Sequence, residues 1–259
     1  MYNFKMKLIL KLIIIFMFSM NLQAREVGET EITTDDGIEV FQNEKFYLLK
    51  KNVKIVSDNF TLSADDVKIN FNKNLYDITE LIAKGDVVFY SEVSDISGNG
   101  NILNFEVKIE KLKVEGLGSK LITKDVKMFS DGFIEVNNFN GDFSLKGLNS
   151  SLTNENIIIK GKSIDGKFSD KTDKKEIIFL EVYDEKISYV KNNETEMYAQ
   201  KINFDYDTSI IELIDNVKII RNEEEITGDY GTLNTTNNSY KIKSNNKKKV
   251  RAIIQNNEQ

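Results

Sequence analysis

The chain has no cysteine, so no disulfide can cross-link it and no thiolate can serve as a nucleophile or metal ligand. Histidine is also absent, which removes the most common general base and the usual nitrogen ligand of zinc. Proline is missing as well. Because proline has no N–H to donate to a β-ladder, its absence favours a chain that is β-sheet almost throughout, although an AT-rich coding sequence would deplete proline too.

The N-terminal residues have the order of a secretory signal, with Lys5, Lys7 and Lys11 first, an apolar run over residues 12–20 next, and the small residue Ala24 last. The apolar run is shorter than the roughly 20 residues that a membrane-spanning helix needs. We therefore predict a signal peptide over residues 1–24 that is cleaved on export. An uncleaved membrane anchor is the alternative.

The formal net charge is −6, and removal of the three signal-peptide lysines would lower it from −6 to −9. Proteins bind nucleic acid by neutralising phosphates with Lys and Arg, so an acidic mature chain argues against a nucleic-acid partner. Carboxylate pairs such as Asp65-Asp66 lie beside predicted turns, where these groups are mostly solvated. Without histidine and cysteine beside them, we expect no enzymatic activity, no metal and no cofactor.

Past residue 30 the apolar residues recur with a period of two, which predicts β-strands. Phe60, Leu62 and Ala64 alternate with polar residues, and the alternation resumes out of phase after Asp65-Asp66, which we interpret as a β-bulge. The same interpretation applies to a second change of phase between Val107 and Leu112. Glycine, Asp and Asn clusters predict the hairpin turns of an antiparallel meander at Asp35-Asp36-Gly37, Gly98-Asn99-Gly100, Asp131-Gly132, Asp165-Gly166 and Asn237-Asn238.

The tetrapeptide Asn-Val-Lys-Ile occurs twice, beginning at Asn52 and at Asn216, and Asp125-Val126-Lys127 is a related copy. The repetition extends beyond this tetrapeptide. The sequence Lys-Ile-Asn-Phe begins at Lys68 and again at Lys201, and in both places a polar turn and an apolar strand follow it. We interpret the repeat as a structural unit in which an Asn or Asp turn precedes a strand that begins with Val. Stacked units of hairpin size predict a solenoid-like sheet.

The C-terminal part contains five short motifs in a fixed order: Asp205-Tyr206-Asp207, Asp215-Asn216-Val217, Ile226-Thr227-Gly228-Asp229, Asn238-Ser239-Tyr240 and Val250-Arg251-Ala252-Ile253. By their order and spacing they resemble the OstA-like domain of the LptA family of periplasmic lipopolysaccharide-transport proteins. The resemblance is good over residues 182–255, fair over 38–95 and faint over 115–180, and Asp215 replaces the glycine of the family's Gly-Asn-Val motif.

The resemblance implies an all-β fold, an extended open antiparallel β-jellyroll (a β-taco) with two OstA-like halves, over residues 30–125 and 126–255, in one continuous sheet. It also implies an apolar groove that shelters lipopolysaccharide acyl chains, whereas the alternating pattern alone favours an ordinary core. The expected groove-lining residues are Val53, Ile55, Leu62, Ile69, Phe71, Phe105, Val107, Ile202, Phe204, Val217 and Ile219.

The family resemblance further implies partners at the two ends of the sheet. An LptC-like inner-membrane anchor, an LptD-like outer-membrane receptor and head-to-tail copies of the chain would pair with exposed edge strands. The edge residues are expected to be Ile38 and Val40 at one end and Val250 and Ile253 at the other. Three other functions stay open: an LptC-like subunit that keeps its membrane anchor, a β-solenoid surface or structural protein, and a carboxylate hydrolase.

Overall fold

The computed structural model describes residues 28–73, 77–93, 95–155, 157–169, 176–222, 224–244 and 249–254. This part of the chain forms one 18-stranded antiparallel sheet with a single 3-10 turn, Val107–Ile109, so the predicted all-β fold in one continuous sheet is confirmed. The strands are β1 Glu31–Thr33, β2 Ile38–Phe41, β3 Phe46–Val56, β4 Phe60–Phe71, β5 Ile78–Ser91, β6 Ile96–Glu106, β7 Lys111–Glu115, β8 Ser119–Thr123, β9 Val126–Ser130, β10 Phe133–Asn137, β11 Asp142–Asn154, β12 Ile157–Phe168, β13 Ile177–Asn192, β14 Thr195–Asp205, β15 Ile210–Arg221, β16 Glu224–Asn234, β17 Ser239–Lys243 and β18 Arg251–Ile254.

The sheet is a meander of rungs, each about as long as β3. Short strands share a rung in pairs: β1 and β2 both pair with β3, β7 and β8 with β6, β9 and β10 with β11, and β17 and β18 with β16. The eighteen strands therefore form fourteen rungs. Because neighbouring strands lie about 4.8 Å apart, the stack is about 60 Å long.

Each rung is interrupted near its middle. The pairing register shifts there in the long strands, for example between Lys50 and Val53 and between Ile214 and Val217, and the divided rungs have a gap at the same place. We call this line of interruptions the corner. The half of each rung that contains Ile55 in β3 and its partners belongs to arm A, and the half that contains Leu49 and its partners belongs to arm B.

Both copies of the repeated tetrapeptide lie at the corner. Asn52 and Asn216 have positive φ angles of 50° and 55°, and Val53 and Val217 after them are buried. Asn is one of the few residues that adopt this left-handed conformation at low cost. The repeat is therefore structural, but it marks a bend inside a strand, whereas the related Asp125 lies in the hairpin turn between β8 and β9.

The predicted bulge at Asp65-Asp66 is confirmed, because the register between β4 and β5 shifts between Ser63 and Asp66. The second predicted bulge is wrong. There β6 ends at Glu106, the 3-10 turn follows, and Glu110 with a φ of 49° turns the chain into β7 as a hairpin. A bulge and a tight turn both change the phase of the apolar alternation, so the sequence pattern does not distinguish them.

Among the predicted hairpin turns, Asn237-Asn238 is confirmed between β16 and β17, while Asp35-Asp36-Gly37 and Asp131-Gly132 lie at the corner. The turns predicted at Gly98-Asn99-Gly100 and Asp165-Gly166 are wrong, because these residues lie inside β6 and β12. Here glycine provides space for an aromatic ring. A Cβ atom on Gly98 would lie 2.5 Å from Cζ of Phe89, and one on Gly166 would lie 2.3 Å from Cζ of Phe143.

The core lies between the two arms. Buried apolar side chains from arm A, such as Leu62 and Ile159, and from arm B, such as Leu145 and Leu213, belong to one cluster. The pairing of β8 with β9 crosses the predicted boundary between residues 125 and 126. Fourteen rungs therefore share a single interior.

The predicted signal peptide over residues 1–24 lies outside the described residues. Within the described part of the chain, no helix has the length and the hydropathy needed to span a membrane.

The corner can be tested with Asn216→Val, because a β-branched side chain is strained at a positive φ. We expect this change to lower the free energy of unfolding by about 1–2 kcal/mol in urea titrations. Asn101→Val is the matched control, since Asn101 is exposed at the corner of β6 and does not have a positive φ. Equal destabilisation by the two changes would contradict the assigned role of Asn216.

Candidate functional site

The candidate site is the apolar interior between arm A and arm B. In arm B, one inward-facing ladder crosses from Leu49 to Val67, Ala83 and Leu103, and continues on the later rungs through Ile202 to Leu213. In arm A, a matching ladder crosses from Ile55 through Leu62 to Phe89, and it reappears in Met197 and Ile219. These side chains are buried. The interior is therefore apolar along the whole stack.

Most of the residues predicted to line a groove lie on this interior. Eight are buried: Val53, Ile55, Leu62, Ile69, Phe71, Ile202, Val217 and Ile219. Phe105 and Phe204 are partly buried and pack against the core. Val107 lies instead in the 3-10 turn and is 38% exposed, so it does not belong to this face. Lipid binding by these residues stays a prediction.

The interior residues of the middle rungs were not predicted, because the family resemblance is faint there. They show the same period of two, but β8, β9 and β10 have only five residues each, and the corner interrupts the alternation inside β11 and β12. Runs this short give a weak pattern. The missed residues include Leu121, Met128, Ile134, Leu145, Leu152, Ile159 and Ile164, which are all buried.

Buried serines line the corner in the middle of the stack, and each hydroxyl has a hydrogen-bond partner. Ser130 Oγ donates to the carbonyl oxygen of Lys146 at 3.0 Å and lies 3.1 Å from Ser150 Oγ. Ser119 Oγ donates to the carbonyl oxygen of Gly116 at 2.8 Å, and Ser188 Oγ donates to that of Gln200 at 3.0 Å. Because these bonds satisfy the hydroxyls, the corner adds little polarity to the interior.

The interior becomes less buried near the rows of hairpin turns at the ends of the two arms, and we call this partly buried border the mouth. Its side chains are partly buried but still pack against the core. In arm A they are Phe60, Ile96 and Ile157, and in arm B they are Phe105, Leu112, Val136 and Phe204. An apolar ligand that enters between the arms would meet these residues first.

The predicted edge residues lie on the first and last rungs. Ile38 and Val40 are exposed on β2, which pairs with β3 on one side. Ile253 is exposed on β18, which pairs with β16, and the exposed Val250 comes directly before that strand. Within the described residues neither strand has a registered partner on its other side, so both ends of the stack present strand edges.

One polar cluster on the outer face of arm A has shifted ionisation. Tyr198 donates a hydrogen bond of 2.8 Å to Glu196, and burial together with this bond raises the pKa of Tyr198 to about 12. Hydrogen bonds from Tyr198 and from Lys191, whose Nζ lies 3.2 Å away, lower the pKa of Glu196. The cluster faces away from the interior, because Met197, which lies between Glu196 and Tyr198 in β14, is buried on the opposite face. The charged groups of this cluster therefore lie outside the apolar interior.

The carboxylates considered for catalysis lie outside the interior. Asp205 accepts a hydrogen bond of 3.2 Å from the backbone N–H of Thr208 in a hairpin turn, and Asp66 accepts one of 3.4 Å from the N–H of Lys51 at the corner. In the part of the chain that the structure describes, no group of acidic residues is placed to hold a metal ion.

Comparisons with known proteins give similarity to solved structures only. No family model matches the chain, and no curated protein matches it. Among solved structures, the chain is similar to the crystal structure of LptH, the LptA-homologous periplasmic component of the conserved lipopolysaccharide transport device from Pseudomonas aeruginosa. The sequence identity is 14% and the TM-score is 0.41, over 51% of this chain and 95% of that one. A similarity at this TM-score carries no argument, so the fold assignment rests on the strand pairing.

Proposed function

We propose that the protein is a non-enzymatic periplasmic carrier that shelters the acyl chains of lipopolysaccharide between its two arms during transport from the inner to the outer membrane. The observation that carries the proposal is the apolar interior, which continues through the rungs and is only partly buried along the mouth. The motifs shared with the OstA-like domain support lipopolysaccharide as the lipid.

The interior suits acyl chains on energetic grounds. Each buried CH₂ group contributes about 0.8 kcal/mol, so a dozen such groups would contribute on the order of 10 kcal/mol. In the lipid-free state the two arms pack against each other, and a bound chain would replace these contacts. Because both states keep the apolar side chains away from water, the arms can separate without a large exposure of apolar area.

The exposed edges at both ends support the proposed partners. Unpaired backbone N–H and C=O groups on an edge strand can add a strand from another protein. The edge at β2 and the edge at β18 would therefore join an LptC-like anchor, an LptD-like receptor or another copy of the chain. A chain with an exposed strand edge at each end could bind one partner at each end and so form a bridge between them.

A β-solenoid surface protein is the less favoured function. The rungs here are antiparallel and joined by hairpins, whereas the coils of a parallel β-helix stack parallel strands. A hydrolase is also disfavoured, because the buried hydroxyls at the corner already bond to the backbone and, among the described residues, no acidic side chain is buried in the interior.

The LptC-like alternative differs in its N-terminus. We expect intact-mass spectrometry of the protein purified from periplasm to give a chain that begins at Arg25, because Ala24 closes the predicted signal. A membrane-bound protein that retains Met1 would instead favour the anchored subunit.

Lipid binding at the mouth can be tested by photo-crosslinking in the presence of lipopolysaccharide. We expect adducts when a light-activated residue replaces Phe105 or Phe204, which are partly buried on the inner face. The matched controls are Glu106 and Asn203, which are adjacent to them in β6 and β14 and point outward. Adducts at the controls alone, or at neither pair, would contradict the proposal, and the interior would then be only a packed core.

A further inference from the structure

The outer faces of the two arms carry different charge patterns. On arm B, lysines alternate with carboxylates and form ion pairs across neighbouring strands, such as Lys111 with Glu135 at 3.1 Å and Lys201 with Glu181 at 2.8 Å. Lys113 also pairs with Glu115 on the same strand, at 3.1 Å. This face is close to neutral overall, as expected for an ordinary solvated surface.

Arm A has a basic outer strip in a protein whose net charge is −6. Two outward ladders run from Lys54 and Val56 on β3 to Tyr189 and Lys191 on β13, with no Asp or Glu at any position. They include Lys54, Lys120, Lys127, Lys160 and Lys191. Among the described residues, Lys54, Lys120 and Lys127 form no ion pair with a carboxylate. These charges are available to a partner.

Two surface hollows lie along this strip. The first, of about 580 Å³, contains Val88, Asn99 and Lys120, which are cross-strand neighbours on β5, β6 and β8. Tyr90 and Ser97 line it on the neighbouring ladder. A small polar side chain thus lies between a larger apolar one and an ammonium group.

The second hollow, of about 320 Å³, repeats the same arrangement with Phe129, Ser151 and Lys160 on β9, β11 and β12. Asn99 and Ser151 belong to the same continuous ladder and lie three rungs apart, which corresponds to about 14 Å. The strip therefore contains two similar hollows in line, across the strands.

Asp86 also lines the first hollow and Asp184 the second, both at the corner, and the remaining side chains of each hollow suit an acidic sugar. Apolar and aromatic side chains pack against the C–H face of a sugar ring, amide and hydroxyl groups bond to its hydroxyls, and an ammonium group neutralises its carboxylate or phosphate. From these two aligned hollows and the carboxylate-free strip, we propose that the outer face of arm A binds a linear anionic polysaccharide that lies across the strands.

The shape of the strip favours a narrow polymer over a flat membrane surface. The strip is only two outward ladders wide, and acidic residues border it at the corner, with Asp86 and Asp184, and in the hairpin turns, with Glu92 and Asp125. Strands in a sheet also rotate by about 20° from one to the next, so the strip winds around the stack. A flat anionic surface would also contact the acidic residues on both sides of the strip, which would repel it. This external site does not depend on lipid binding in the interior.

The proposal can be tested by fluorescence anisotropy with labelled oligogalacturonate at low ionic strength. We expect binding to the wild-type protein, and Lys120→Glu or Lys160→Glu should weaken it about tenfold each, because each reverses one charge in the strip. Lys84→Glu is the matched control, since Lys84 is exposed on the outer face of arm B. This control should leave the affinity unchanged.

A second variant separates a sugar site from simple charge attraction. Asn99→Phe fills the first hollow without changing the net charge, and we expect it to weaken oligogalacturonate binding by about tenfold while Tm stays unchanged. The proposal is overturned if oligogalacturonate does not bind or if Lys84→Glu weakens it equally. It is also overturned if oligothymidylate binds as tightly and Asn99→Phe has no effect, since the strip would then be a general polyanion surface.

Discussion

The bend at the middle of each rung is the constraint on which the rest of the structure depends. A flat meander would leave one face of alternating apolar side chains in water, because the described part of the chain supplies no second sheet or helix to cover it. Bending every rung at the same place lets each strand cover itself, so that Ile55 and Leu49 of the same strand contribute to one interior. The bend requires residues that adopt positive φ, and Asn52, Asp86 and Asn216 meet that requirement. The buried Val after each of them then begins the next arm.

The period of two was enough to predict the fold class and the eight buried residues that were expected on the inner face, because burial follows alternation within each arm. The repeat of Asn52 and Asn216 indicated a structural unit, yet the sequence did not show whether the unit was a hairpin or a bend. Both use Asn or Asp at positive φ, and only the pairing register distinguishes them. The glycines at positions 98 and 166 were misleading for a different reason. Their role is to make space for the rings of Phe89 and Phe143, which come from neighbouring strands and cannot be inferred locally.

The division into an apolar interior and two dissimilar outer faces gives the molecule distinct surfaces. The hydrogen-bonded serines keep the corner closed, while the partly buried side chains at the mouth, including Phe60 and Phe105, keep fewer contacts. Opening would therefore occur at the mouth, with the corner as the hinge. On the outside, the paired charges of arm B contrast with Lys54, Lys120 and Lys127 of arm A, which form no ion pair among the described residues. This difference depends on the pairing register, which places each lysine on one arm.

Separation of the arms is the central claim of the account, and the distance between the two rows of turns measures it directly. Because the chain has no cysteine, Lys108→Cys and Lys124→Cys can carry a unique pair of spin labels. Both lysines are exposed in turns, Lys108 between β6 and β7 at the end of arm B and Lys124 between β8 and β9 at the end of arm A. The account predicts that pulsed electron paramagnetic resonance will show a longer distance when lipopolysaccharide is added. An unchanged distance under conditions in which the lipid is bound would contradict it.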